Sequence, residues 1–147
     1  VLPITHKEMT RFNISLEDGV EMVLWTIENA MGGEIFVPKI PSYSIETVAK
    51  AIAPNARLEY VGIRPGEKLH EEMITVSDSY STIDIGRYYA IIPIGKKKEI
   101  FLDYYKGSKP VEPGFHYNSG GNDQWVSIEE MRELIKKYID PDFKPFS

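Results

Sequence analysis

The sequence predicts an α/β protein, and three observations carry that expectation. Helical and strand-like patterns alternate from residue 15 to residue 63. Serines stand directly in front of three stretches with helical apolar spacing, at Ser15, Ser44 and Ser127. The composition is that of a packed chain, 42% hydrophobic and 27% charged, so disorder is excluded. At 147 residues a single domain is expected, with enough chain to bury a core.

The first helix is predicted to start at Ser15, whose hydroxyl precedes Glu17 and Asp18, two acids suited to a positive helix end. Val20, Val23, Leu24, Ile27 and Met31 then recur at helical spacing, and Gly32-Gly33 ends the run. Residues 34–39 read as a short strand, with Pro38 marking its end or a sheet edge. After a turn at 41–43, Ser44 caps a second helix that buries Ile45, Val48, Ala49 and Ile52 and stops at Pro54. Residues 57–63 alternate as a strand, 69–74 read as a short helix and 88–92 as a strand rich in β-formers. Residues 107–121, dense in Gly, Pro, Ser and Asn, read as loop. Ser127-Ile128-Glu129-Glu130 is a capping box. It opens a last helix with Met131, Leu134, Ile135 and Tyr138 on one face, stopped by Pro141.

Several functions are excluded early. With no cysteine there is no disulfide, thiol nucleophile or thiolate metal site, which fits a cytoplasmic setting. No apolar run approaches the roughly 18 residues of a membrane span, so no membrane partner is expected. The net charge of −5 argues against nucleic acid. Neither a GxGxxG dinucleotide loop nor a Walker loop, an HExxH or a GxSxG occurs. His6, His70 and His116 lie far apart, so no metal is expected. The Lys96-Lys97-Lys98 run reads as a solvated turn, and Tyr88-Tyr89 and Tyr104-Tyr105 as strand or packing residues.

The informative stretch is Arg64-Pro65-Gly66-Glu67-Lys68-Leu69-His70-Glu71-Glu72. A guanidinium can fork two oxygens of a phosphate, and a carboxylate can accept from both hydroxyls of a ribose. Arg64 and Glu67 would together clamp a nucleoside diphosphate. The same residues also fit a plain surface ion pair across a turn. Arg11, in Met9-Thr10-Arg11-Phe12, adds a second arginine that gains meaning only if the fold brings it near.

This stretch resembles the signature loop of bacterial polysaccharide-biosynthesis nucleotide-sugar enzymes in the extended short-chain dehydrogenase/reductase superfamily. Within them it is similar to the inverting UDP-N-acetylglucosamine 4,6-dehydratases (5-epimerizing) of pseudaminic acid synthesis. Met9-Thr10-Arg11-Phe12, Asp18-Gly19-Val20, residues 33–39, Tyr117-Asn118-Ser119 and Ser127-Ile128-Glu129-Glu130 extend the resemblance over nearly the whole chain. It implies the substrate-binding, C-terminal portion of a larger lyase, lacking the N-terminal Rossmann half that would carry NADP and the catalytic Tyr-x-x-x-Lys pair. The start at Val1-Leu2-Pro3, without a methionine or a signal peptide, fits that expectation. By the resemblance, Arg11 and Arg64 grip the UDP diphosphate and Glu67 the ribose, while Pro3, Ile4 and Thr5 run past the uracil. This chain is then expected to bind no cofactor and to supply no catalytic residue. Its expected partners are a UDP-sugar and either the other half or a second copy of itself. A stand-alone nucleotide-binding or regulatory module, or the same half of a related epimerase, are the alternatives.

Overall fold

The structure, a computed structural model, describes residues 1–146 and is mixed α/β. Its first elements are β1 (Leu2–Ile4), β2 (Thr10–Phe12), α1 (Leu16–Asn29), β3 (Ile35–Pro38), β4 (Ser42–Ser44), α2 (Ile45–Ile52) and β5 (Leu58–Tyr60). There follow β6 (Glu72–Ile74), β7 (Thr82–Asp84), β8 (Tyr88–Ile91), α3 (Lys98–Tyr104), β9 (Lys109–Pro110), β10 (Tyr117–Asn118) and α4 (Ile128–Tyr138). The chain divides into two compact units. One gathers Val1–Asn13, Ile40–Glu71 and the stretch from Asn118; the other gathers Ile14–Lys39 and Glu72–Tyr117.

In the first unit, β1 runs parallel to β5, with Leu2 beside Leu58 and Ile4 beside Tyr60. β2 is antiparallel to β4, setting Thr10 opposite Ser44 and Arg11 opposite Tyr43. Ser44 then closes its strand and caps α2, its hydroxyl accepting from the Thr47 amide. α4 opens with the expected reciprocal box, the Ser127 hydroxyl accepting from Glu130 N–H and the Glu130 carboxylate from Ser127 N–H. Those hydrogen bonds hold the Glu130 carboxyl below its usual range. Met131 and Ile135 of α4 meet Ala51 of α2 and Val126 in a core flanked by Tyr43, Val48, Ile52, Leu134 and Phe143. Arg132 Nε donates to the Ala51 carbonyl at 3.1 Å, tying the two helices end to side. Ser42, fully buried, is satisfied by Gln124 and Val126 on the backbone and by Asn122 Nδ2 at 3.0 Å. Trp125, 45% exposed, donates its indole N–H to the Asn122 carbonyl.

The second unit is built on an antiparallel sheet in the order β3-β8-β7-β9. Its core contains Phe36, Ile83, Ala90, Ile92, Phe101 and Tyr105. α1 covers the sheet with Met22 and Trp25, and the Trp25 ring meets Phe36 edge-on at 5.3 Å and Tyr88 at 4.7 Å. Ser15 caps α1 as the sequence indicated, and Asp18 completes a reciprocal box, its carboxylate accepting from Ser15 N–H. The regular stripe of Leu16, Val20, Val23, Leu24 and Ile27 faces the other way, and no residue of α1 is fully buried. Ile14, Leu16, Val20, Val23 and Leu24 wall an open groove of about 540 Å³.

Some expectations are corrected. Residues 69–74 form no helix: 69–71 are irregular and 72–74 are strand β6. The reason is that this backbone bonds across the chain, Leu69 O accepting from Thr10 N–H and Glu71 O from Ser119 N–H, and not along it. The 57–63 strand contracts to β5. The 107–121 loop contains β9 and β10, each two residues long. The lysine run is not merely a turn, since Lys97 and Lys98 open α3.

Candidate functional site

The site is built on β2 and on the turn that follows β5. Strand alternation sends Thr10 inward, where it is buried, and leaves Arg11 half-covered. Arg11 Nη1 donates to the carbonyls of Thr10 at 2.6 Å, Lys68 at 3.1 Å and Leu69 at 3.4 Å. Its Nε lies 3.7 Å from Glu71 Oε1, and Glu71 Oε2 accepts from Phe12 N–H at 3.3 Å. Arg11 therefore staples the segment after the turn to its own strand. Tyr43, across the ladder, has its phenol pushed up by burial and by the Glu71 carboxylate, against a smaller opposing pull from Arg11.

The turn itself follows from Pro65 and Gly66. Proline presets φ at the second position, and Gly66 adopts φ +86° at the third, a conformation side chains resist. Glu67 N–H closes the turn on the Arg64 carbonyl at 3.1 Å, and Arg64 N–H donates to Glu67 Oε2 at 3.1 Å. Arg64 Nη1 lies 3.9 Å from Glu67 Oε1. The Arg64 side chain is 76% exposed, so its guanidinium is available to an incoming anion.

The structure thus brings Arg11 into contact with the segment that directly follows Glu67, and pairs Arg64 with Glu67. Pro3 and Ile4 lie in β1, opposite Glu59 and Tyr60. Ile4 is buried, its carbonyl accepts from Val61 N–H, and Thr5 follows the strand end.

Sequence reasoning missed a hydrogen-bonded node behind the turn. Thr10 Oγ1 bridges His70 Nδ1 at 2.8 Å and Ser119 Oγ at 2.7 Å, and Ser119 Oγ accepts from Glu71 N–H at 2.9 Å. A Cβ on Gly120 would lie 2.6 Å from His70 Nδ1, so only glycine lets the imidazole pack there. The Ser119-Gly120-Gly121 run was the available signal, but its partners are remote in sequence.

Lys39, one of the motif residues, pairs in its own unit with Asp84 at 2.7 Å and lies over the Tyr89 ring. Burial alone would raise the Asp84 carboxyl, but Lys39 and the Gly86 amide hold it below its usual range.

A Tyr-x-x-x-Lys spacing does occur, from Tyr105 to Lys109, contrary to the expectation that the chain has none. The geometry gives it no catalytic form. Tyr105 caps the end of α3 while Lys109 lies in β9, so the two do not share a helix face. The Tyr105 hydroxyl is buried and donates to Glu34 Oε1 at 2.6 Å, and both effects push its pKa up, away from use as a base. Among the described residues no group of three His, Asp or Glu side chains could hold a metal, and no helix is long and apolar enough to cross a membrane.

The chain is similar to several known proteins. The model of a family described as polysaccharide biosynthesis protein matches residues 1–93. A UDP-N-acetylglucosamine 4,6-dehydratase (inverting) of Campylobacter jejuni serotype O:23/36 is 49% identical over 91% of this chain and 42% of its own length. A UDP-glucose 4-epimerase of Rickettsia felis is 34% identical over 97% of this chain and 43% of its own. The X-ray structure of Pen from Bacillus thuringiensis superposes with a TM-score of 0.72 at 26% identity, covering 92% of this chain and 41% of that one. The chain thus spans about two fifths of the curated relatives it matches.

Proposed function

The chain belongs to the polysaccharide biosynthesis protein family, and on that premise we propose that it is the UDP-sugar-binding portion of a UDP-N-acetylglucosamine 4,6-dehydratase. The observation that carries the reading is the 49% identity with an inverting dehydratase across nine tenths of the chain. The exposed Arg64 guanidinium beside Glu67, one turn from the segment stapled by Arg11, supports it chemically. In this reading Arg64 meets the diphosphate and Glu67 accepts from the ribose hydroxyls. Arg11 adds positive field to the diphosphate while holding the segment in place, and Pro3, Ile4 and Thr5 border the base.

NADP belongs to the intact enzyme in this reading, and the residues present do not fit it. The chain has no glycine-rich dinucleotide loop, and its one Tyr-x-x-x-Lys spacing is split between a helix end and a strand. In the intact enzyme NADP would supply the hydride chemistry on the sugar. This chain supplies the binding of the nucleotide. Alone, with UDP-N-acetylglucosamine and NADP⁺, it should form no 4-keto-6-deoxy sugar; detectable product overturns that part.

The decisive experiment is titration calorimetry with UDP. The wild-type chain should bind, and Arg64→Ala should lose about tenfold or more in affinity, the size of one charge-assisted contact. Equal heats for both proteins remove Arg64 from the site. The epimerase relatives support a second reading, the same half of a nucleotide-sugar epimerase, at lower identity. We include in the proposal that the outward face of α1 is covered, in the intact enzyme, by polypeptide of the kind its relatives carry beyond the matched stretch. Supplied alone, the chain should then self-associate through that face. Light scattering that gives a clean monomer at high concentration counts against it.

A further inference from the structure

Three segments remote in sequence meet at the Thr10 hydroxyl, and the count of hydrogens there fixes how they are joined. Ser119 Oγ accepts from Glu71 N–H, which leaves its own hydrogen to give. Thr10 Oγ1 is the acceptor within reach, at 2.7 Å, and Thr10 in turn donates to His70 Nδ1 at 2.8 Å. This direction gives both buried hydroxyl hydrogens an acceptor, whereas the reverse strands the hydrogen of Ser119. In this direction the imidazole accepts at Nδ1.

The node is buried where it matters, with Thr10 at 5% and Ser119 at 0% exposure. It ties the strand that carries Arg11 to the segment that follows Glu67. Thr10 is the neighbour of Arg11, and His70 follows directly on Lys68 and Leu69, whose carbonyls Arg11 grips. Thr10 N–H also donates to the Leu69 carbonyl at 3.0 Å. Sliding of the turn relative to β2 must break the hydroxyl bridge, and the imidazole is seated so close to Gly120 that a Cβ there would lie 2.6 Å from Nδ1.

We propose that His70, acting through Thr10 and Ser119, is a positioning residue that holds the 64–69 segment in register with Arg11 and so sets the affinity for a nucleoside diphosphate. The inference rests on the clamp reading above, and its test separates the two. Thr10→Val keeps the side-chain shape and removes the bridging hydroxyl. His70→Asn keeps an acceptor near the Nδ1 position, and His70→Ala removes it.

UDP is the probe, with affinity read by calorimetry and the mobility of the turn by amide hydrogen exchange over 64–69. Thr10→Val and His70→Ala should each weaken UDP binding about tenfold and speed exchange in the turn, the effect of one lost hydrogen bond. His70→Asn should stay within about threefold of the wild type. Should Thr10→Val fail to fold by circular dichroism, Ser119→Ala replaces it. Unchanged affinity and exchange in Thr10→Val and His70→Ala overturn the proposal, and so does a His70→Asn protein as impaired as His70→Ala. If the wild type binds no UDP, the clamp reading fails by itself. The exchange rates of the alanine and asparagine variants then decide the positioning role alone.

Discussion

Helices α1 and α4 start from the same local instruction and come to opposite ends. Each opens on a serine whose hydroxyl caps the third residue, answered by a carboxylate that caps the serine amide. Each has an apolar stripe at helical spacing. α4 turns its stripe inward, where Met131 and Ile135 pack on Ala51 and Val126. α1 rests on its sheet through Met22 and Trp25 and leaves Leu16, Val20, Val23, Leu24 and Ile27 in solvent, with Ile27 75% exposed. Capping sets where a helix begins, and periodicity shows that a face is apolar. Which face is buried depends on the surface the rest of the unit presents to it.

Mutation can break this contrast at three scales. Ile135→Ala should be the most damaging, about 2–5 kcal/mol by urea denaturation, because a close-packed site is left with a cavity. A loss below about 1 kcal/mol would mean that the α2–α4 core is looser than its packing shows. Ser127→Ala and Ser15→Ala should each remove about 1 kcal/mol, since the caps are alike. A Ser15 variant without effect would show that α1 frays independently of its sheet. Ile27→Ala should change stability by less than about 0.5 kcal/mol in dilute protein, below the concentration at which the chain self-associates, as an outward substitution does. A larger loss would mean that self-association already covers the stripe in solution.

The parts that were legible from sequence share a physical trait: their determinants lie within four residues of one another. The Ser15 and Ser44 caps, the box at Ser127 and the Arg64–Glu67 turn are of this kind, and each is found where expected. The three-residue strands β1, β2 and β4 are too short to display alternation, and only their pairing partners define them. α3 was missed because Lys97 offers no side-chain cap. Residues 69–71 carried helix-like spacing, but Thr10 and Ser119 claim their backbone. The node at Thr10 was out of reach for the same reason, as its bonds join positions 60 and 109 residues apart. Of the candidate site, the Arg64–Glu67 turn could be read from the motif, and the hydrogen-bonded framework behind it could not.

The two tryptophans fall one to each unit, and their surroundings differ enough to make each a separate reporter. Trp25, against Phe36 and Tyr88, should emit at shorter wavelength and resist a soluble quencher. Trp125, with nearly half its surface in water, should emit to the red and be quenched readily. Replacing Trp125 by phenylalanine leaves a fluorescence signal that belongs to the sheet unit alone, and replacing Trp25 leaves one for the unit that carries the turn. Denaturation followed through the two single-tryptophan proteins then reads directly whether the units melt as one cooperative body or in sequence.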